Sequence, residues 1–162
     1  MAKSLSERLM GMDEAAWARH ANPWSVYTRY SVFPLLALAL WSRTWIGAAA
    51  IAPVVLVCLW AWLNPRLFRA PSSTASWAFK AVLGERIWLA RRTDPPRRNM
   101  AAAVTTLMAL NVAATLLLAA GLLLLDLPLT LAGLAAVIVF KTWFLDRMVW
   151  LYEANEAVKA AS

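Results

Sequence analysis

The chain holds one cysteine, one histidine and only nine acidic residues among 162. A single cysteine excludes an internal disulfide and a cysteine-cluster metal site. Cys58 lies inside an apolar run, where a thiol acts as a small hydrophobe. A lone His20 excludes the multi-histidine sites of zinc and non-haem iron enzymes. There is no glycine-rich phosphate loop, no G-x-S-x-G elbow, no paired-aspartate magnesium motif and no long internal repeat. No apolar run carries the repeated charges of an ion pathway. The first twenty residues contain Glu7, Asp13 and Glu14 and no long apolar stretch, unlike a cleavable signal peptide. Neither a metal nor a cofactor is expected.

Apolar residues, by contrast, are abundant. They make up 62% of the chain and charged residues 15%, whereas a soluble domain has about 45–50% and about 25%. A 17.9 kDa protein has no interior large enough to hide that surplus, so lipid is the expected solvent. Ten tryptophans agree, because indole rings concentrate where hydrocarbon meets water. The net charge of +7 has the same explanation: cytoplasmic loops of membrane proteins are rich in Lys and Arg, and anionic headgroups attract them. No nucleic-acid reader motif accompanies the charge, and nucleic acid is not an expected partner.

The expected fold is all-α: one membrane domain over 1–162, an integral membrane four-helix bundle with spans near 24–41, 45–63, 100–125 and 129–152. An amphipathic helix over 4–20 precedes it, opened by the Ser4–Glu7 capping box. A further helix, about 73–92, lies between spans two and three. Asn22-Pro23 predicts a capped helix start, Pro34 a kink, and Asn64-Pro65 the end of the second span, in which Pro53 is tolerated. Asn111, deep in span three, predicts a hydrogen bond between helices. The segment 64–99 carries Arg66, Arg69, Lys80, Arg86, Arg91, Arg92, Arg97 and Arg98, whereas the opposite connections hold only Arg43 and Asp126. The positive-inside rule makes that segment and both termini cytoplasmic in a multi-pass protein of the inner (plasma) membrane.

Three groups of polar residues are candidate sites. At the cytoplasmic edge of span one, His20 is a candidate acid or base and Arg29 a clamp for an anion; the same residues also suit a helix start with a snorkelling arginine. In the cytoplasmic helix, Ala78, Phe79, Val82, Leu83, Ile87, Leu89 and Ala90 project to one side, and Lys80, Gly84, Glu85, Arg91 and Arg92 to the other. Arg86 interrupts the apolar side, so it needs an acidic partner (Asp146, Glu153 or Glu156) or a ligand. Gly84 either allows close approach of another backbone or is incidental. Lys141, Asp146 and Arg147 form the third group, explained either by snorkelling and a Lys–Asp contact or by a site.

His20-Ala-Asn-Pro-Trp-Ser25, Asn64-Pro-Arg-Leu-Phe68 and Lys80-Ala-Val-Leu-Gly-Glu-Arg86 together resemble a group of small, multi-spanning microbial membrane proteins that form a domain of unknown function. The resemblance covers about 15–150 and implies no activity. Two functions are therefore expected. One is a non-catalytic accessory protein that binds anionic lipid headgroups or another membrane protein, self-association included. The other is a small membrane enzyme acting on a lipophilic, anionic substrate, with His20 or Glu85 as acid or base and Arg29, Lys80 and Arg86 as ligand-binding cations.

Overall fold

The computed structural model describes residues 14–90 and 98–161, and among them there are helices and no strands. The Ser4–Glu7 capping box and the first part of the expected amphipathic helix lie outside the described residues. Three helical stretches are long and apolar enough to cross a membrane: Pro23–Leu67, Met100–Leu124 and Leu127–Ala160.

A short helix α1 (Glu14–His20) leads into α2 (Pro23–Arg29). The expected cap is present: the Asn22 side chain accepts from the Trp24 backbone N–H, with Pro23 at the first helical position. Helix α3 (Val32–Trp41) follows after a break at Tyr30–Ser31. The break is the kink expected from Pro34, placed one turn earlier. Pro34 cannot donate to the Tyr30 carbonyl, and the chain tightens there through i−3 bonds from Tyr30 to Tyr27 and from Ser31 to Thr28.

The expected second span begins later than predicted. Residues 43–50 form a short helix α4 (Arg43–Ile46) and a 3₁₀ turn, reversing at Gly47 with φ +57° and ψ −132°, a conformation suited to glycine. Helix α5 (Ile51–Leu67) then runs back along α3. Pro53 falls in its first turn, where a missing N–H costs nothing. Asn64-Pro65 does not end the helix, which continues to Leu67. A proline in the last turn deletes only its own bond to Ala61, and the chain becomes extended at Phe68. Pro23–Leu67, 45 residues long, is thus a hairpin whose arms are joined by Ser25–Asn64 and Trp60–Ser31 hydrogen bonds.

Helix α6 (Trp77–Ala90) occupies the middle of the basic segment and begins later than expected; the expected end at residue 92 lies outside the described residues. Helix α7 (Arg98–Leu124) and helix α8 (Leu127–Ala161) form the second hairpin, and α8 continues well past residue 152. Asp126 caps α8 by accepting from the Leu129 N–H over 2.8 Å. Asn111 makes the expected bond between these helices, donating to the Val137 carbonyl over 3.2 Å. Gly121 meets the Thr130 backbone and Gly133 the Leu118 backbone at distances that leave no room for a Cβ. Close backbone approach at small residues is how helices pack where lipid removes the hydrophobic drive between them.

Arg43 donates to the Leu122 carbonyl, and to that of Leu123 over 3.4 Å, capping the end of α7. This bond puts the two tight turns at one end of the molecule. The N-terminal helix, the connection after α5 and helix α6 gather at the other, hereafter the basic end.

Candidate functional site

Helix α6 lies across α8 with Ala78, Ala81, Val82 and Gly84 buried. That differs from the apolar side drawn by periodicity, which set Gly84 among the charges. Small size decided the contact rather than hydrophobicity. A Cβ on Gly84 would stand 1.9 Å from the Met148 carbonyl oxygen, so only glycine permits this crossing. Leu83 and Ile87 remain partly exposed. Ala78 and Val82 pack on Trp17, Ala21 and Val26, closing α1 and α2 against α6. The expected close approach at Gly84 therefore brings the Lys80–Arg86 stretch against the His20–Ser25 stretch.

A hydrogen-bonded cluster sits where these elements meet α5. Helical side chains lean toward their own N-terminus, and Arg29 turns back along α2 in this way. Its Nη1 reaches His20 Nε2 at 2.8 Å and its Nη2 donates to Ser25 Oγ at 2.9 Å. Ser25 Oγ donates to Asn64 Oδ1 over 3.0 Å. Asn64 Nδ2 donates to Thr28 Oγ1 over 2.8 Å, and Thr28 Oγ1 donates to the Trp24 carbonyl over 2.6 Å. Every donor in this sequence finds an acceptor, in one direction from guanidinium to carbonyl. Ser25 and Asn64 are completely buried, so each bond also avoids the desolvation cost of an unpaired polar group. Asn22 ties the same region together from outside, donating to the Arg69 carbonyl over 2.8 Å.

The direction of the network sets the state of His20. Arg29 has N–H donors and no acceptor, so His20 Nε2 must accept with its lone pair. The ring is then neutral with its proton on Nδ1, and Nδ1 is buried with no hydrogen-bond partner among the described residues. Burial, then the charge of Arg29 and then that of Lys141 push the imidazole down to about 3. A charged imidazolium would lose the Arg29 bond and face two cations.

The five candidate residues are not all brought together. His20 and Arg29 are in direct contact, and Glu85 is close enough to Arg29 for its charge to act on the guanidinium. Lys80 turns to α8 and pairs with Glu153 over 2.7 Å. Arg86 is half-buried on α6. Of the acids suggested for it, Asp146 pairs with the adjacent Arg147, Glu153 with Lys80 and Glu156 with Lys159. The expected Lys141–Asp146 contact is replaced by the Asp146–Arg147 pair at 2.8 Å, and Lys141 stands 5.0 Å from the Phe144 ring centroid. Tyr30 bonds to Thr142 at 3.0 Å, which brings this part of α8 beside the end of α2.

Periodicity did not single out Asn64, Ser25 and Thr28 as site residues. The available signal was the repeat of Asn-Pro at 22 and 64: both asparagines prove to hold the hairpin to its surroundings, one as a cap and one as the hub of the cluster. Neither Arg29 nor Lys141 forms an ion pair with a carboxylate among the described residues. Two cations held by neutral groups beside a single more distant carboxylate can receive an anion. Among the described residues no three His, Cys, Asp or Glu side chains are placed to hold a metal ion.

These features define an all-α protein with membrane-spanning-like helices and a buried polar cluster at its basic end. The chain belongs to DUF6653, a family of unknown function whose model matches residues 1–162. No curated protein and no solved structure matches it.

Proposed function

We propose that this is a membrane protein that binds an anionic lipid headgroup at its basic end, through Arg29 and Lys141. One observation carries the reading: the Arg29 guanidinium is held by His20 and Ser25, both neutral, and among the described residues by no carboxylate in direct contact. A charge at membrane depth without a counter-ion is costly, and a lipid phosphate supplies one. The exposed Trp24, Tyr27, Trp62 and Trp150 suit a headgroup boundary at this end. The test compares binding of purified protein to neutral and anionic bilayers. Tighter binding to anionic bilayers that weakens in Arg29→Gln supports the reading, and equal binding to both overturns it.

In this reading the bilayer is crossed four times, with both termini and the 64–99 segment cytoplasmic. Support comes from the reversal at Gly47: an uninterrupted helix of 45 residues would extend about 67 Å, more than twice a hydrocarbon core of about 30 Å. Reporter fusions at Gly47 and Ser72 should report opposite sides of the membrane. The same side for both would reject the four-span topology.

The reading as a small membrane enzyme is favoured by the approach of both His20 and Glu85 to Arg29. Acid–base work by His20 requires Arg29 to release the imidazole lone pair first. A binding partner among membrane proteins, or self-association, would use the same basic end.

A further inference from the structure

We infer that Glu85 sets the charge of the headgroup this site accepts, selecting a monoanionic phosphodiester lipid over a dianionic phosphomonoester. The inference rests on the anionic-lipid reading above and concerns which anion is taken. Arg29 and Lys141 are the two cations whose charges act on the His20 ring, and Glu85 is the carboxylate acting on Arg29. His20 accepts from Arg29 and is therefore neutral. Among the described residues, two positive charges and one negative leave the cluster with one positive charge in excess.

The placement is geometric as well as electrostatic. The Tyr30–Thr142 bond brings the Lys141 turn of α8 to the end of α2, and the Gly84–Met148 contact holds the Glu85 turn of α6 against the same helix. Tyr27 stacks on Trp77 at 6.5 Å, joining α2 to α6 beside the cluster. The neighbouring pairs Lys80–Glu153 and Asp146–Arg147 each cancel internally. Where water is scarce, matched charge is favoured and each unmatched charge is penalised. A phosphodiester of charge −1 neutralises the cluster, whereas a phosphomonoester approaching −2 leaves a negative excess next to Glu85. His20 Nδ1–H, buried and without a partner among the described residues, is a further donor for a phosphate oxygen.

Glu85 has no ion pair or hydrogen bond among the described residues, so removing its charge leaves the packing of α6 intact. The experiment measures lipid binding by native mass spectrometry of the full-length protein in detergent, with phosphatidylglycerol, phosphatidic acid and phosphatidylcholine as probes. The wild type should prefer phosphatidylglycerol over phosphatidic acid roughly fivefold, the effect of about one charge near a membrane surface. Glu85→Gln should invert that order. Preference of the wild type for phosphatidic acid, or an unchanged order in Glu85→Gln, overturns the inference and leaves anionic-lipid binding standing. Equal binding of all three lipids overturns both. Stabilisation of the protein by inorganic phosphate equal to that by phosphatidylglycerol would show that a free anion, not a lipid, is taken. Should Glu85→Gln fail to fold, Lys141→Gln decides: neutralising the cluster should abolish the preference for phosphatidylglycerol over phosphatidylcholine, and a preserved preference overturns the inference.

Discussion

Arg29 donates to the ring nitrogen Nε2 of His20 across 2.8 Å, and this one bond settles the protonation of the only histidine in the chain. Because the guanidinium has nothing to accept with, the imidazole must stay neutral for the bond to exist. The interaction joins α1 to α2 and positions the cation that the proposed function uses.

A pH dependence follows. The folded-state pKa of His20 is about 3, below its ordinary 6.5, so the unfolded chain takes up a proton that the folded chain refuses. The stabilising contribution is complete above about pH 6.5, declines as the pH falls, and is exhausted near pH 3. The slope between these limits is up to about 1.4 kcal/mol per pH unit. Thermal unfolding of wild type and His20→Gln in detergent, from pH 7 to pH 4, checks this. The wild type should lose more stability than the variant, which keeps an acceptor for Arg29 but does not titrate. Parallel curves would refute the assignment.

Asn64 is wholly buried and serves Ser25, Thr28 and Arg29 together. Asn64→Leu leaves several buried polar groups unpaired, at about 1–3 kcal/mol for each group fully orphaned. The melting temperature should fall by several degrees, and the hairpin Pro23–Leu67 should gain protease sensitivity. Asn64→Ala should give a similar loss, since the cost lies in the orphaned partners and not in the shape of the replacement.

Two glycines should respond differently to alanine. At Gly84 the new Cβ would meet the Met148 carbonyl at 1.9 Å, forcing α6 off α8. At Gly47 nothing lies within 4 Å of it, and only the positive φ is strained, a cost of about 1–3 kcal/mol. Gly84→Ala should lower the melting temperature more and expose Trp77 to quenchers. Equal effects would mean that α6 does not cross α8 as described.

Lys80 and Arg29 were both expected to hold an anion, but Lys80 is spent on an exposed pair with Glu153. Lys80→Ala should change stability by less than about 1 kcal/mol and leave lipid binding unaltered. Arg29→Gln should weaken binding to anionic lipid. A Lys80 variant with impaired binding would move the site toward the outer face of α6.

Much of the architecture was legible in the sequence, because its causes are local. Asn22-Pro23 caps a helix, Pro34 breaks one, and Asn111 in an apolar helix must find a partner, wherever the rest of the chain lies. The Asn64-Pro65 pair misled, since proline near a helix end marks a boundary only to within a turn. The face of α6 misled too, because its close crossing of α8 needs the small Gly84 at the contact, and apolar periodicity does not register size.

By itself the sequence determines that the chain is helical, that it is apolar enough for a membrane, and that positive charge is concentrated in 64–99; its four expected spans meet three long apolar helical stretches in the structure. These are sums over neighbours along the chain. Only the tertiary structure decided that Arg29 reaches His20 and Ser25, that Asn64 rather than Lys80 completes the cluster, and that Glu85 comes near while Asp146 is taken by Arg147. Those pairings draw on five helices, with Asn64 and Glu85 approaching Arg29 from tens of positions away in the chain, and they depend on how closely the backbones approach. That closeness is set by Gly84 against Met148 and by the turn at Gly47, where the absence of a side chain decides the geometry.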